Sequence, residues 1–574
     1  MASSGPDGTD SARRFKGLGL RRDIGFVGLI WASEGSIIGS GWLFGARNAL
    51  DVAGPAAIIS WLIGGAAVML LALAHAELGA MWPVAGGTAR FPHYAFGGTA
   101  GASFGWFSWL QAATVAPIEV LAAMTYAQHY SFAHSWVTAS GTNAGELTGV
   151  GIVIAVILMA ILVTINLLGV RMLSNTNSVA TWWKVGVPLL VIFILGFTEF
   201  HASNFTALNG FMPYGAKGVL SAVSTSGIVF AYLGFEQADQ LAGESKDPQR
   251  NIPRAIIGSV VIGVIIYVLL QVVFLGALRG SELHGTWATV GANLTGPFAQ
   301  IAGLVSLGWL ATILYIDAVI SPAGTGLIYA AGTSRVSYGL SRNGYVPSIY
   351  ERLDKRDVPW FGLLTAFVIG CIAFIPFPSW TSLVGLITGA SVLMYAGAPL
   401  SLAVFRQKMP DEFRPYRLPA ASSLAPLTFV VANLLILWSG WTTVWKLGIA
   451  ILLGYLILIA NRAFKLNPVI PELNLKASGW ILVYLVGIGV ITYVSAFGPL
   501  TQPLFGGAAV WWDIVLVAVF SLLIFYWAMR SALPTEKIKE MISAIVVPEE
   551  EPTAASGGPV RPDFQPPRSD PAVS

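Results

Sequence analysis

Fourteen apolar stretches divide this chain, each near the ~20 residues a helix needs to cross ~30 Å of hydrocarbon. They run over 24–49, 55–80, 101–128, 148–170, 178–198, 219–242 and 255–278, then 300–334, 361–377, 380–405, 424–444, 446–462, 478–497 and 508–530. In lipid every backbone polar group must be satisfied within the protein, so stretches of this length are read as helices. The pattern therefore predicts an all-α integral membrane protein with 14 transmembrane helices. Polar pieces lie between and around them: a basic tail over 1–22, a short turn over 243–253, a longer loop over 334–359 and a tail from about 533. That last tail is rich in Pro and Ser, carries Glu549, Glu550 and Glu551, and is expected to be disordered.

Composition agrees and excludes a soluble globule. Of 574 residues 55% are hydrophobic and 11% charged, against roughly 25% charged in soluble domains. The 20 tryptophans suit the two membrane interfaces. Cys371 stands alone, so no intrachain disulfide forms. The basic tail lacks the apolar core and cleavage site of a signal peptide. Charge placement sets the orientation. With the N-terminus in the cytoplasm, 27 of the 32 lysines and arginines fall on cytoplasmic segments. Only Arg47, Lys217, Arg279 and Lys446 fall outside, and Lys184 lies within a span. A shift by one span would destroy this asymmetry, so both termini are expected in the cytoplasm of a cell (plasma) membrane protein.

Two spans carry their own interruptions. The first contains Glu34-Gly35-Ser36-Ile37-Ile38-Gly39-Ser40-Gly41-Trp42-Leu43-Phe44-Gly45. Unwound backbone at Gly39-Ser40-Gly41 survives only if it lines a protein cavity, where a half-helix N-terminus attracts a carboxylate. The competing reading is a small-residue packing face. Span 6 weighs against it, because Gly234 interrupts an apolar helix and Glu236 and Asp239 follow within the membrane. Spans 1–5 start at the inside and spans 6–10 at the outside, so the broken helices head two inverted five-span units. That arrangement points to a transporter's binding site. The expected organisation is a tail over 1–22, repeats over 23–199 and 200–407, four added spans over 408–530 and a cytoplasmic tail over 531–574.

Here the residues carry a resemblance. Gly35-x-Ile37-Ile38-Gly39-Ser40-Gly41-x-x-Phe44-Gly45 resembles the first-helix signature of the amino acid–polyamine–organocation permeases. Phe230 to Gly234-Phe235-Glu236, then Glu244-x-x-Asp247-Pro248-x-Arg250-Asn251-Ile252-Pro253, is similar to their sixth helix and following loop. Ser334-Arg335-Val336-x-Tyr338-x-Leu340-x-Arg342-x-Gly344-x-x-Pro347 resembles their stretch after helix 8. Within the superfamily the run 30–45 looks most like bacterial aspartate–proton symporters.

The resemblance implies a LeuT-type 5+5 inverted repeat, with an amino acid bound between the breaks of helices 1 and 6 and four extra helices after it. Ser36, Ile37, Gly39, Ser40 and Gly41 would hold the substrate carboxylate. Carbonyls near Phe230, Ala231 and Gly234 would accept from its ammonium, Phe230 would gate the site and Tyr329 would complete the pocket. Lys184, in Trp182-Trp183-Lys184-Val185-Gly186-Val187-Pro188, resembles the helix 5 lysine of proton-coupled permeases. Burial disfavours the charged form of such a lysine, which makes it a candidate coupling group. The alternative is that it snorkels to the interface.

Glu34, Glu119, Glu236 and Asp317 must each be protonated, paired or facing water at membrane depth. Glu236 is the best relay candidate, and Glu34 stands where it could pair with Lys184. Asp317 is expected to line an outer vestibule. His75 and Glu77 read as structural rather than as a relay. The sequence shows no HExxH, GxSxG or Walker A motif and no metal-ligand spacing, so neither an enzyme nor a cofactor is expected. The expected activity is amino acid import by proton symport, the substrate acidic (aspartate or glutamate) or small polar. An exchanger, a neutral or cationic amino acid permease and a non-transporting sensor remain as alternatives. The partners are the amino acid, protons and the lipid bilayer.

Overall fold

Every named element among the described residues is helical; extended pairing is confined to the isolated bridges Ile24 to Ser245 and Val137 to Leu147. The computed structural model describes residues 23–83, 87–138, 145–168, 171–290, 294–356, 358–506 and 509–546. The tails expected over 1–22 and beyond 546 lie outside them. The chain forms two units, Leu20–Ile538 and one made of Met1–Gly19 with Lys539–Ser574. Of the second, residues 539–546 are described, as the end of a helix.

In chain order the helices used below are α1 (Phe26–Ile37), α2 (Gly41–Ala53), α3 (Ala57–Met81), α4 (Gly87–Phe96), α5 (Gly98–Ala127), α6 (Gly149–Leu167) and α7 (Arg171–Thr198). There follow α8 (Gly215–Thr225), α9 (Ile228–Ala231), α10 (Gln237–Gln240), α11 (Pro248–Gly276), α12 (Pro297–Leu304), α13 (Gly308–Arg342) and α14 (Trp360–Ala373). The rest are α15 (Trp380–Tyr395), α16 (Gly397–Lys408), α17 (Ala421–Trp438), α18 (Trp441–Ala463), α19 (Trp480–Val494), α20 (Ala509–Ser531) and α21 (Thr535–Val546). Among the described residues, eleven helical runs are long and apolar enough to cross a bilayer. The other stretches of the sequence count, 24–49, 219–242 and 361–377, form interrupted or shorter helices. One boundary moves: α11 starts at Pro248, inside the turn expected over 243–253. A proline's fixed φ suits the first helical position, where its missing N–H costs nothing.

Burial separates an inner set of helices from an outer one. The apolar window of α5 is 94% buried and that of α15 with α16 100%, whereas α18 is 22% and α6 33% buried. The inner helices are rich in Gly, Ala and Ser, which lets backbones approach where no hydrophobic force pulls helices together. α13 packs along α5 and α11 along α3, and these pairs frame the centre.

Polar ties fix the ends. At the end of α3 the buried Glu77 carboxylate accepts from Arg406 Nε (2.7 Å) and Nη2 (2.6 Å) on α16 and from the Leu418 N–H (2.7 Å). Arg414 Nε lies 3.3 Å away. The added helices are joined by Tyr484 donating to Asn433 Oδ1 (2.7 Å) and Asn433 Nδ2 donating to Ser521 Oγ (2.9 Å). They also hold the loop after α13: Asn461 Nδ2 donates to Gly344 O (2.9 Å), and Asn467 Nδ2 to Ser341 O (2.8 Å) and Val346 O (2.9 Å). Outside the spans, Arg279 donates to Glu199 at 2.7 Å. That bond, with His201 beside it, holds the Glu199 carboxyl below the usual carboxylate range.

Candidate functional site

The helical ladder of α1 fails where the glycines begin. Ile38 N–H still donates to Glu34 O at 2.9 Å, but Gly39 N–H turns to Ile37 O at 3.1 Å. Ile38 adopts φ −87°, ψ 88°, and α2 restarts at Gly41. The carbonyl of Gly35, which Gly39 would have satisfied in a continuous helix, is thereby released. Lys184 Nζ donates to it at 2.5 Å and to Thr325 Oγ1 at 2.7 Å. Lys184 is 1% exposed, which rules out snorkelling in this structure. A cation at the C-terminal end of a helix meets the negative end of its dipole. The Ile37 carbonyl, which holds the Gly39 N–H, also accepts from Tyr267 Oη at 2.9 Å.

Span 6 breaks twice. α8 ends at Thr225 and Gly227 takes φ 89°; after α9 the chain turns again through residues 232–236, with Gly234 at φ 130°. In the sequence Gly234 marks only the second interruption; the small pair Ser226-Gly227 is the signal available for the first. Gly234 is required both by its backbone angle and by its neighbours, since a Cβ there would lie 2.7 Å from Ile37 N. At Gly41 an added Cβ would meet Ala231 Cα at 2.8 Å. The two broken helices thus touch through glycine at both breaks.

Between them lies a small cavity, lined by Ser36, Ile37, Gly39, Gly41, Val115, Glu119, Phe230, Leu233, Thr325 and Tyr329. Six of the nine expected contact residues are in that lining; Ser40, Ala231 and Gly234 sit in or beside the interruptions themselves. The donors differ from expectation. Ser40 N–H already donates to Glu119 Oε2 at 2.9 Å, and its hydroxyl accepts from Trp380 Nε1 at 2.9 Å. Ser36 Oγ turns back to Ala32 O at 3.1 Å. Phe230 O and Gly234 O accept from Leu233 N (3.1 Å) and Gln237 N (3.1 Å), each keeping a second lone pair. Phe230 meets Trp380 edge-on with centroids 5.8 Å apart, and Phe44 packs on the same tryptophan at 5.1 Å. At the head of span 10, Trp380 reads in sequence as an interfacial residue, and nothing there signals this role.

The carboxylates sort by their partners. Glu236 accepts from Gly234 N (2.9 Å), Tyr395 Oη (2.5 Å), Tyr329 Oη (3.0 Å) and Gln111 Nε2 (3.3 Å). Its lone pairs are filled by three other segments, so it locks the second break of span 6. Tyr329 both lines the cavity and buttresses Glu236. Asp317 is fully buried and accepts from Ser321 Oγ (2.7 Å) and Trp183 Nε1 (2.8 Å), so it lines no outer vestibule. His75 Nδ1 faces Asp239 Oδ2 at 3.0 Å in a buried pair. Glu34 is fully buried with neither oxygen hydrogen-bonded. The pair that Glu34 could have made with Lys184 is not formed: the ammonium donates instead to the freed Gly35 carbonyl and to Thr325 Oγ1. No cluster of His, Cys, Asp and Glu suited to a metal occurs among the described residues.

An interrupted-helix cavity at the centre of a helical, membrane-length bundle is the arrangement of a transporter's binding site. The family description "amino acid permease" matches residues 24–461, and the chain belongs to that family. The glutamate/serine transporter AimA of Bacillus subtilis is 37% identical over 528 residues, covering 91% of this chain and 96% of the relative. The aspartate-proton symporter of the same organism is 33% identical over 525 residues, covering 90% and 98%. A solved manganese transporter from Eremococcus coleocola covers 83% of this chain and 97% of its own, with TM-score 0.49 and 13% identity.

Proposed function

We propose that this protein imports an amino acid across the plasma membrane by proton symport and alternating access, with a small polar or acidic amino acid as substrate. The observation that carries the reading is the cavity between two interrupted helices, with the Lys184 ammonium seated on the carbonyl that the first interruption frees. The two interruptions suit the ends of an α-amino acid: its carboxylate is drawn to the N-terminal end of α2 and its ammonium to the carbonyls at the C-terminal end of α9. Two relatives are named for glutamate and serine and for aspartate, which supports the substrate class. The second is named a proton symporter, which supports the coupling. Lys184 is the coupling candidate; Glu236 positions the second break, and Glu34 is a buried carboxyl free to take a proton.

The test is uptake of radiolabelled serine, aspartate, alanine and arginine into proteoliposomes, without sodium, with and without an inward proton gradient. Accumulation of serine or aspartate only with the gradient is the expected result. Uptake that requires preloaded amino acid overturns symport in favour of exchange.

A further inference from the structure

The N-terminal end of α2 is already occupied by a carboxylate. Glu119 reaches across from α5, its Oε2 accepting the Ser40 N–H at 2.9 Å. Its Oε1 is buried with no hydrogen-bond partner, and the side chain lines the central cavity. A glutamate in a buried helix, half-satisfied by one helix N-terminus, is an unusual resting place for a charge, since lone buried carboxylates are costly. The Ser40 N–H is also one of the donors at the start of α2 toward which a substrate carboxylate would be drawn. Two carboxylates cannot share one N–H, and side by side they repel unless one carries a proton.

Resting on the transport reading above, we propose that Glu119 is an internal carboxylate plug: it holds the Ser40 N–H in the empty protein and yields it to the substrate carboxylate on taking up a proton. One proton from the aqueous side of entry bonds to a Glu119 oxygen. The neutral carboxyl becomes a hydrogen-bond donor instead of a competing anion, and the proton leaves when the substrate does. The groups around it suit this exchange. Lys184 on α7 and Tyr267 on α11 act on the Glu119 charge. Asp317 on α13 acts on Lys184, and Tyr329 on α13 lines the same cavity. Glu34 on α1 also acts on Tyr267. Glu236, just before α10, is occupied by its four donors. α6, α14 and α15 bring no charged side chain within their ranges.

The experiment is proton uptake on binding, read with a pH indicator in weakly buffered solution of the purified full chain, using L-serine and L-aspartate as probes. Wild type is expected to take up about one proton per probe bound, with affinity rising up to about tenfold per unit fall in pH. Glu119→Gln is expected to bind with no proton uptake and with affinity independent of pH, while Glu119→Asp retains the uptake. Wild-type binding without proton uptake overturns the plug, whatever the variants do. So does uptake that persists in Glu119→Gln and vanishes in Lys184→Ala. Binding of neither probe at any pH overturns the transport reading itself.

Discussion

The Lys184 ammonium and the Gly35 carbonyl, 149 residues apart in the chain, meet at 2.5 Å at the centre of the bundle. The contact exists because Gly39 does not close the helix on Gly35. The same ammonium holds Thr325 Oγ1 at 2.7 Å, so α7 ties the broken first helix to α13.

Lys184→Ala removes the ammonium that bridges the Gly35 carbonyl and Thr325 Oγ1. Proton-driven accumulation is expected to fall at least tenfold, while exchange of internal for external substrate persists. Parallel proteoliposome assays of accumulation and counterflow check this, and undiminished accumulation removes Lys184 from the coupling.

Gly41→Leu places a side chain where even a Cβ meets Ala231 at 2.8 Å. Substrate binding is expected to vanish while the protein still inserts and purifies as a folded monodisperse species. Gly41→Ala should cost about 1–3 kcal/mol of stability, the usual range for overpacking, and a thermal shift assay reads it.

Tyr395→Phe withdraws one of the four donors to Glu236. A hydrogen bond to a charged group contributes about 1.5–3 kcal/mol, so a lowered melting temperature is expected. Glu236→Gln should cost more, since its amide brings two donors into a nest of donors. Equal melting temperatures for wild type and both variants would refute the locking role.

Trp380→Phe keeps the aromatic face toward Phe230 and Phe44 but removes the N–H that holds the Ser40 hydroxyl. Losing a neutral hydrogen bond of about 0.5–1.5 kcal/mol predicts a two- to roughly tenfold weaker substrate affinity, measurable by scintillation proximity binding.

The Glu199–Arg279 pair gives a pH signature outside the membrane. Glu199 is held below its ordinary range chiefly by the Arg279 hydrogen bond. Its contribution is therefore full above the unfolded carboxyl value and lost as pH falls through the lower folded one. Arg279 is 42% exposed, so the pair is worth at most about 1 kcal/mol. Arg279→Ala should leave thermal stability within about 1 kcal/mol of wild type at neutral pH, the gap closing in acid.

Anomalies within apolar runs made much of this legible in the sequence. Gly39, Ser40 and Gly41 in one span, Gly234 in another and Lys184 in a third each violate what lipid tolerates, and each lies in or against one of the interruptions that border the central cavity. Partnerships across the chain were not legible. Glu119 stands 79 residues from Ser40 and Trp380 stands 340 from it, and no local pattern records which helices pack together. Glu34 shows the same limit: its nearness in sequence to the break suggested a partner that donates instead to the Gly35 carbonyl. The interruption at Gly227 escaped because one glycine after a serine resembles ordinary helix packing.

The Glu77 clasp bears on how such a protein can move. A carboxylate gripped by Arg406 and the Leu418 amide, with Arg414 beside it, turns the ends of α3 and α16 into one lever arm. Parting them would strand a buried charge, a cost of about 3–5 kcal/mol. A hinge set between those two helices would have to overcome that grip on every cycle. An opening of the bundle at that end is therefore expected along another seam, with α3 and α16 moving as one piece.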